Sequence, residues 1–115
     1  MTHEFTNPVV KIFEHDSIAD GGTFSEEWDT DAHYTLKYIF IKADGASTTK
    51  STITIRIANT PLTKDKALCN TFGTNPENAL PLNVDLPHGT RISYEGVNNE
   101  GATKDFTVEL VMERV

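Results

Sequence analysis

The first candidate for catalysis is the adjacent pair His15 and Asp16. A carboxylate can orient an imidazole that acts as a general base, so the pair has the residue types that such a base needs. Adjacent residues on a β-strand point to opposite faces of the sheet, which keeps their side chains apart, and we expect two solvated side chains at a strand end. No serine lies in the Gly-x-Ser-x-Gly pattern of a nucleophile elbow. The sequence therefore predicts no catalytic residue and no enzyme.

The second candidate is Cys69, the single cysteine of the chain. One cysteine cannot form an intramolecular disulfide, which excludes a disulfide-stapled secreted scaffold. A catalytic thiol would need a nearby histidine and a polarising environment. Cys69 is flanked by Leu68 and Asn70, and a lone cysteine in such a context is typically a small buried apolar residue.

Metal-ligating residues are present but scattered. The four histidines show no His-x-His or His-x-x-x-His spacing, so the sequence predicts no transition-metal site. Acidic residues cluster at two corners, 16–20 and 26–31, and calcium takes its oxygen ligands from such loops. There is no EF-hand pattern. We expect solvated carboxylates there and predict no metal or cofactor, with calcium kept as an alternative.

The aromatic residues could form a sugar-binding platform, because aromatic rings stack on the apolar faces of pyranose sugars. The candidates are Trp28, Tyr34, Tyr38 and Tyr94. Three of them, Trp28, Tyr38 and Tyr94, share a strand face with aliphatic residues, which favours the core. A phosphate-binding loop is not indicated, because Gly21-Gly22 lacks both the lysine of a P-loop and a following helix.

Length and charge limit the classes of protein that fit. The chain has 115 residues, enough for one domain with a real core. Its 10 basic residues are outnumbered by 17 acidic ones, which gives a formal net charge of −7. An acidic surface repels nucleic acid and anionic lipid, so neither is an expected partner.

Alternation with a period of two is the dominant pattern, and helical periodicity is almost absent. The alternation predicts about eight strands, with the clearest segments at 34–41, 52–57, 80–86 and 106–112. Tyr34, Leu36, Tyr38 and Phe40 are predicted to share one face of a long strand. Ile39 and Ile41 make its other face apolar as well, which is typical of a strand covered on both sides or of an oligomer contact.

The strand count predicts an all-β fold, an antiparallel two-sheet sandwich of the jelly-roll type. An immunoglobulin-like sandwich is the alternative, although it would not need the long irregular segment 64–78. A short helical turn could form between Thr63 and Phe72. We assign residues 1–8 to an N-terminal arm and residues 9–115 to one sandwich domain.

Targeting signals are also part of the prediction. The N-terminus has no basic region followed by an apolar one, so no signal peptide is expected. The apolar runs are too short for a membrane span. Synthesis in a cytoplasm is therefore expected.

Four stretches, spanning about residues 9 to 114 with their connections, carry a resemblance to a known class of protein. They are IADGGTFSEEWDT, HYTLKYIFIKADGAS, STITIRIANTPLT and LPLNVDLPHGTRISYEGVNNEGATKDFTVELVMERV. They contain a Gly-rich turn before a Thr-rich strand, an inward Ile strand, and a polar corner leading into a closing Val-x-Leu strand. This order resembles small β-sandwich virion proteins, which occur in tailed phages and in icosahedral viruses with single jelly-roll coats.

The resemblance implies a non-enzymatic virion structural protein: a capsid, decoration or tail component. Such a protein would be made in the host cytoplasm, reside in the virion, and bind copies of itself as a homo-oligomer and other virion proteins. The candidate contact surfaces are the N-terminal arm with Phe5, the doubly apolar stretch with Ile39 and Ile41, and the irregular segment with Phe72. The alternative is a carbohydrate- or receptor-binding sandwich module, with or without calcium.

Overall fold

Ten strands and one short 3-10 helix form the part of the chain that the computed structural model describes, residues 8–63, 66–75 and 77–115. The 3-10 helix covers Cys69–Phe72 and lies inside the predicted helical turn. The strands are β1 (Pro8–Ile18), β2 (Thr23–Asp29), β3 (Tyr34–Ala43), β4 (Ala46–Ser47), β5 (Thr52–Ile57), β6 (Thr60–Pro61), β7 (Ala67–Leu68), β8 (Val84–Leu86), β9 (Arg91–Val97) and β10 (Lys104–Arg114).

The strands form two five-stranded antiparallel sheets. In the first sheet, β10 lies between β1 and β3, and both β4 and β8 pair with the far edge of β3. In the second, β9 lies between β2 and β5, and β6 and β7 pair with β5. Long strands alternate between the sheets along the chain, and the first pairs with the last. The predicted all-β, jelly-roll-like sandwich is therefore confirmed, and the immunoglobulin-like order is not observed.

The inner faces of the two sheets meet in one apolar core. Its fully buried side chains include Leu36, Ile39, Ile41, Ile53, Leu86, Phe106, Val108, Leu110 and Met112. Fully burying one such side chain stabilises the fold by about 2 kcal/mol. Ile53, Ile55 and Ile57 of β5 alternate inward with exposed or half-buried polar residues, as the period of two predicts.

Close approach in the core requires a glycine at position 96. Gly96 of β9 pairs with Phe24 of β2, and the Phe24 ring crosses the space above it. A Cβ atom on residue 96 would lie only 2.1 Å from the Phe24 ring. The same ring stacks on Phe106 of the opposite sheet, with ring centroids 4.5 Å apart. Because residue 96 has no side chain, the Phe24 ring can pack over β9 and also against Phe106 of the other sheet.

A bulge in β3 corrects one sequence prediction. Leu36 pairs with Met112 and Tyr38 pairs with Val111, which leaves Lys37 as an extra residue. An extra residue shifts the alternation of a strand by one position. Tyr34 and Leu36 therefore face inward, whereas Tyr38 and Phe40 face outward, and the prediction that all four share one face is wrong.

Three connections cross between the sheets at one end of the sandwich and are joined there by side chains. They are the β1–β2 turn, the segment from β4 to β5, and the β9–β10 connection. Asn98 is fully buried, and its amide nitrogen donates to the carbonyl oxygens of Ile18 and Ala102, each at 2.8 Å. Its side-chain oxygen accepts from the backbone N–H of Glu100 at 2.9 Å.

Glu100 joins the β9–β10 connection to the segment before β5. Its carboxylate accepts hydrogen bonds from the backbone N–H groups of Thr49, Lys50 and Ser51 and from the hydroxyls of Thr49 and Ser51. Burial alone would raise the pKa of Glu100, but these bonds, with Ser51 first, outweigh burial and lower that pKa from 4.5 to about 2. The charged carboxylate therefore holds two of the connections between the sheets together.

Candidate functional site on the sheet faces

The candidate catalytic pair is separated, as the strand geometry predicts. His15 is half-buried within β1, so the expectation of a solvated side chain at a strand end is wrong for this residue. His15 points inward, where its Nε2 lies 2.6 Å from the Tyr94 hydroxyl, while Asp16 is exposed. Burial lowers the pKa of His15, and the charges of Glu26 and Asp16 oppose that shift. The imidazole is thus a half-buried packing group that also contacts the Phe24 ring, with centroids 5.3 Å apart.

Cys69 is fully buried at the start of the 3-10 helix, as expected from the sequence. Burial, followed by the charge of Glu100, raises the pKa of the thiol to about 12. A thiol with this pKa is almost entirely protonated near neutral pH and is a poor nucleophile. Across residues 8–63, 66–75 and 77–115, no group of three or more His, Cys, Asp or Glu side chains could hold a metal ion.

The four candidate sugar-stacking residues do not share a surface. Tyr34 and Tyr94 are buried in the core, and Trp28 packs beside Tyr34 with ring centroids 6.1 Å apart. Tyr38 lies on the outer face of the first sheet, where it stacks on Phe40 with centroids 5.8 Å apart.

The outer face of the first sheet carries an apolar patch across β1, β10 and β3. Its cross-strand rows are Val10–Val111–Tyr38 and Ile12–Glu109–Phe40, and we call these rows the apolar outer face. Val10 and Ile12 are 52% and 49% exposed, Val111 and Tyr38 are half-buried, and Phe40 is 6% exposed. Adjoining exposed apolar groups on a sheet face make this patch the candidate interaction surface.

Charged residues form the next row on this face. Glu14, Thr107 and Lys42 lie side by side on β1, β10 and β3. Lys42 Nζ lies 3.6 Å from the Glu109 carboxylate. Glu14 is exposed and has no ion pair among the described residues. The apolar outer face is therefore bordered at one end by one acidic and one basic side chain.

Three of the four predicted contact residues are buried in the core, which is a correction. Phe5 falls outside the described residues. Ile39, Ile41 and Phe72 are 1%, 0% and 3% exposed and belong to the core, so their side chains are not available to a partner. The doubly apolar stretch on β3 was the correct signal for an apolar outer face, but the outward residues are Tyr38 and Phe40.

Sequence reasoning missed Val10 and Ile12, because both faces of β1 are apolar in the sequence. Val9 and Phe13 point inward and pack against the core, while Val10 and Ile12 point outward. Only the pairing with β10 shows which set is exposed. The apolar residues on both faces of β1 were the one sequence signal that could have pointed to Val10 and Ile12.

Lys11 lies on β1, the strand at the open edge of the first sheet. In the described part of the chain, β1 pairs with β10 and with no other strand. Lys11 points inward, and its Nζ lies 5.7 Å from the ring centroids of both Phe13 and Trp28. An inward-pointing charge on an edge strand disfavours pairing with another strand.

The outer face of the second sheet is polar and forms an open depression. Its outward rows are Ser25–Glu95–Thr54 and Glu27–Ser93–Arg56, and we call them the polar outer face. Beside them, Arg91 donates to both oxygens of Asp29 at 2.8 and 3.2 Å. That hydrogen bond lowers the pKa of Asp29 and raises the pKa of Arg91.

Comparison with known proteins adds no family assignment. No family model, curated protein or solved structure matches this chain. None of the described residues belongs to a helix that is long and apolar enough to cross a membrane.

Proposed function

We propose that this chain is a non-enzymatic structural protein that works by associating through its apolar outer face. The carrying observation is the exposure of Val10 and Ile12 beside Val111 and Tyr38 on that face. Placing two valine- or isoleucine-sized side chains in water costs free energy that burial against a partner recovers. The inward charge of Lys11 disfavours association through the neighbouring strand edge, so the face is the favoured surface.

The size of the apolar outer face suits repeated weak contacts. The three strands and two rows of the apolar outer face cover about 200 Å² per copy at ordinary strand spacing and rise. A stable pairwise interface buries about 800 Å² per partner. A contact of this size is weak alone, and it lasts in an assembly only where other surfaces of the chain also make repeated contacts.

The role in a virion extends the same proposal. The jelly-roll strand order, which viral coat proteins share with lectins and cupins, supports it together with the resemblance to small β-sandwich virion proteins. We propose a capsid, decoration or tail component whose partners are copies of itself and other virion proteins.

A carbohydrate- or receptor-binding module is the second candidate, and the polar outer face favours it. Hydroxyls of Ser25, Thr54 and Ser93 line the depression beside Glu95 and Arg56. Hydroxyl, carboxylate and guanidinium groups are suitable partners for a polyol. Binding of the chain to an immobilised glycan array, lost in Arg56→Ala but retained in Ile12→Lys, would support this candidate over the first.

Sedimentation velocity over a range of protein concentrations tests the proposed function. We expect concentration-dependent self-association of the natural chain and its loss in Ile12→Lys, because a charged side chain would have to be desolvated in the contact. Leu68→Lys is the matched control, since Leu68 is 47% exposed and lies off the apolar outer face. Monomers up to about 1 mM, or equal association of Ile12→Lys and the natural chain, would overturn the proposal.

A further inference from the structure

We propose that two copies of this chain pair face to face about a two-fold axis that runs along β10, with Glu14 of each copy opposite Lys42 of the other. This inference rests on the proposed function and specifies the partner and the register of the same surface. Its starting point is the order of strands on the apolar outer face, in which β10 lies between β1 and β3.

The two-fold axis determines which strands meet. A half-turn about β10 exchanges the positions of β1 and β3 and leaves each row at the same height along the sheet. Each row of one copy therefore meets the same row of the other copy in reverse order. The two sheets stay aligned, which is a common packing mode for sheets that meet face to face.

The apolar rows fit this arrangement. The row Val10–Val111–Tyr38 places Val10 opposite Tyr38 and Val111 opposite itself. Ile12 comes opposite Phe40, which contributes less because it is already 6% exposed. Small aliphatic side chains on β1 thus meet large aromatic side chains on β3 on both sides of the axis.

The charged row selects this axis. Glu14–Thr107–Lys42 meets its own reverse, which produces the Glu14–Lys42 contact twice, once on each side of the axis. A two-fold axis perpendicular to the strands, placed midway between the two apolar rows, would instead place Lys42 opposite Thr35 and form no opposite-charge pair. Opposite charges at the border of an apolar contact determine register more than affinity.

One feature of the pairing opposes association. Glu109 lies on β10, so the two Glu109 carboxylates meet near the axis, each beside its own Lys42. Like charges in a contact repel each other. Glu109→Gln removes this repulsion and should strengthen association severalfold, whereas a surface that simply needed charge for solubility would respond uniformly to all substitutions.

Charge reversal with a mixing step tests the pairing. Glu14→Lys and Lys42→Glu should each weaken self-association about tenfold, because each reversal creates two like-charge contacts in a symmetric pair. An equimolar mixture of the two variants should recover the association of the natural chain, since a mixed pair has opposite charges at both contacts. Thr54→Lys, on the polar outer face, is the control and should leave association unchanged.

The outcomes separate the two proposals. Recovery on mixing, measured by sedimentation velocity, supports the two-fold pairing. If Ile12→Lys abolishes association but the charge variants do not recover on mixing, the pairing about β10 is wrong and the proposed function stands. If Ile12→Lys associates like the natural chain, the apolar outer face is not the contact and both proposals fail.

Discussion

The inner faces of the two sheets are both apolar, whereas their outer faces differ in polarity. On both inner faces, large apolar residues occupy every second position of the strands, such as Ile55 in the second sheet and Leu110 in the first. Outside, the second sheet presents hydroxyls and charges, whereas the first presents Val10 and Ile12. The inner faces account for folding, so the proposed contact rests on the difference between the outer faces.

The charges of the two faces are also used differently. On the second sheet, Arg91 is paired with Asp29, with the Glu27 carboxylate 3.6 Å away. On the first sheet, Lys42 approaches Glu109 only at 3.6 Å, and Glu14 has no ion pair among the described residues. The second sheet thus carries an ion pair with two hydrogen bonds, whereas the first carries only a longer contact.

Gly96→Ala should have the largest effect, because it separates the sheets that carry both faces. The new methyl group would meet the Phe24 ring and force it off Phe106. We expect a loss of about 3 kcal/mol in the free energy of unfolding, measured by urea denaturation.

Gly45→Ala is the control for that variant. Gly45 has a φ of 77°, and a Cβ atom added there would have no neighbouring atom within 4 Å. The cost of this substitution is therefore conformational alone, about 1 kcal/mol. Equal losses in the two variants would show that the Phe24 contact is not the cause.

Glu100→Gln should have the next largest effect, because it loosens the end at which both faces are joined. A glutamine places its NH₂ group against backbone N–H donors that the carboxylate now accepts. We expect a loss of about 2 kcal/mol at neutral pH by urea denaturation.

The pH dependence gives a second readout for Glu100. Its pKa is about 2 in the folded chain, below the ordinary 4.5, so the folded state binds fewer protons than the unfolded state. The stabilisation is complete above pH 4.5 and is lost as the pH falls toward 2. Glu100→Gln should show a flatter loss of stability over that window. An identical acid profile for both proteins would contradict this assignment.

Lys11→Val distinguishes association through the apolar outer face from strand pairing at the open edge of β1. Its expected effect is smaller. Removing the inward charge should permit strand pairing at the open edge of β1 and increase association by about 1 kcal/mol. This added association should persist in the double variant with Ile12→Lys. If Lys11→Val leaves the sedimentation profile unchanged, Lys11 does not guard the edge.

Asp29→Asn should have the smallest effect, because it removes an exposed ion pair beside the polar outer face. Such pairs contribute little and are screened by salt. We expect a slight loss of thermal stability at low salt that disappears at high salt, with unchanged self-association. A change in self-association would place the contact on the second sheet.

The sequence predicted the strands and the class of fold, because burial with a period of two is a local signal. The strands around Ile53 and Phe106 were recognisable from a few residues each. The pattern from Leu80 to Leu86 forms a strand only at Val84–Leu86; Leu82 uses its backbone N–H to reach Lys37. Whether a segment with a period of two forms a strand depends on whether tertiary packing brings a partner strand within hydrogen-bond distance.

The candidate site was less predictable, because it depends on pairing between distant segments. The extra residue Lys37 in β3 reversed the faces of Tyr38 and Phe40, and no local pattern marks that bulge. The contacts of Asn98 with Ile18 and of Glu100 with Ser51 join residues 80 and 49 positions apart. The sequence indicated a strand that is apolar on both faces, but it could not show which of its residues lie on the outer face.

The buried thiol of Cys69 makes this chain a convenient carrier for spectroscopic labels. It is inaccessible and has a pKa of about 12, so maleimide reagents at neutral pH should leave it unmodified. A Thr54→Cys or Val10→Cys variant would then bear one fluorophore on a chosen outer face. Energy transfer between differently labelled copies could follow assembly without removal of the native cysteine.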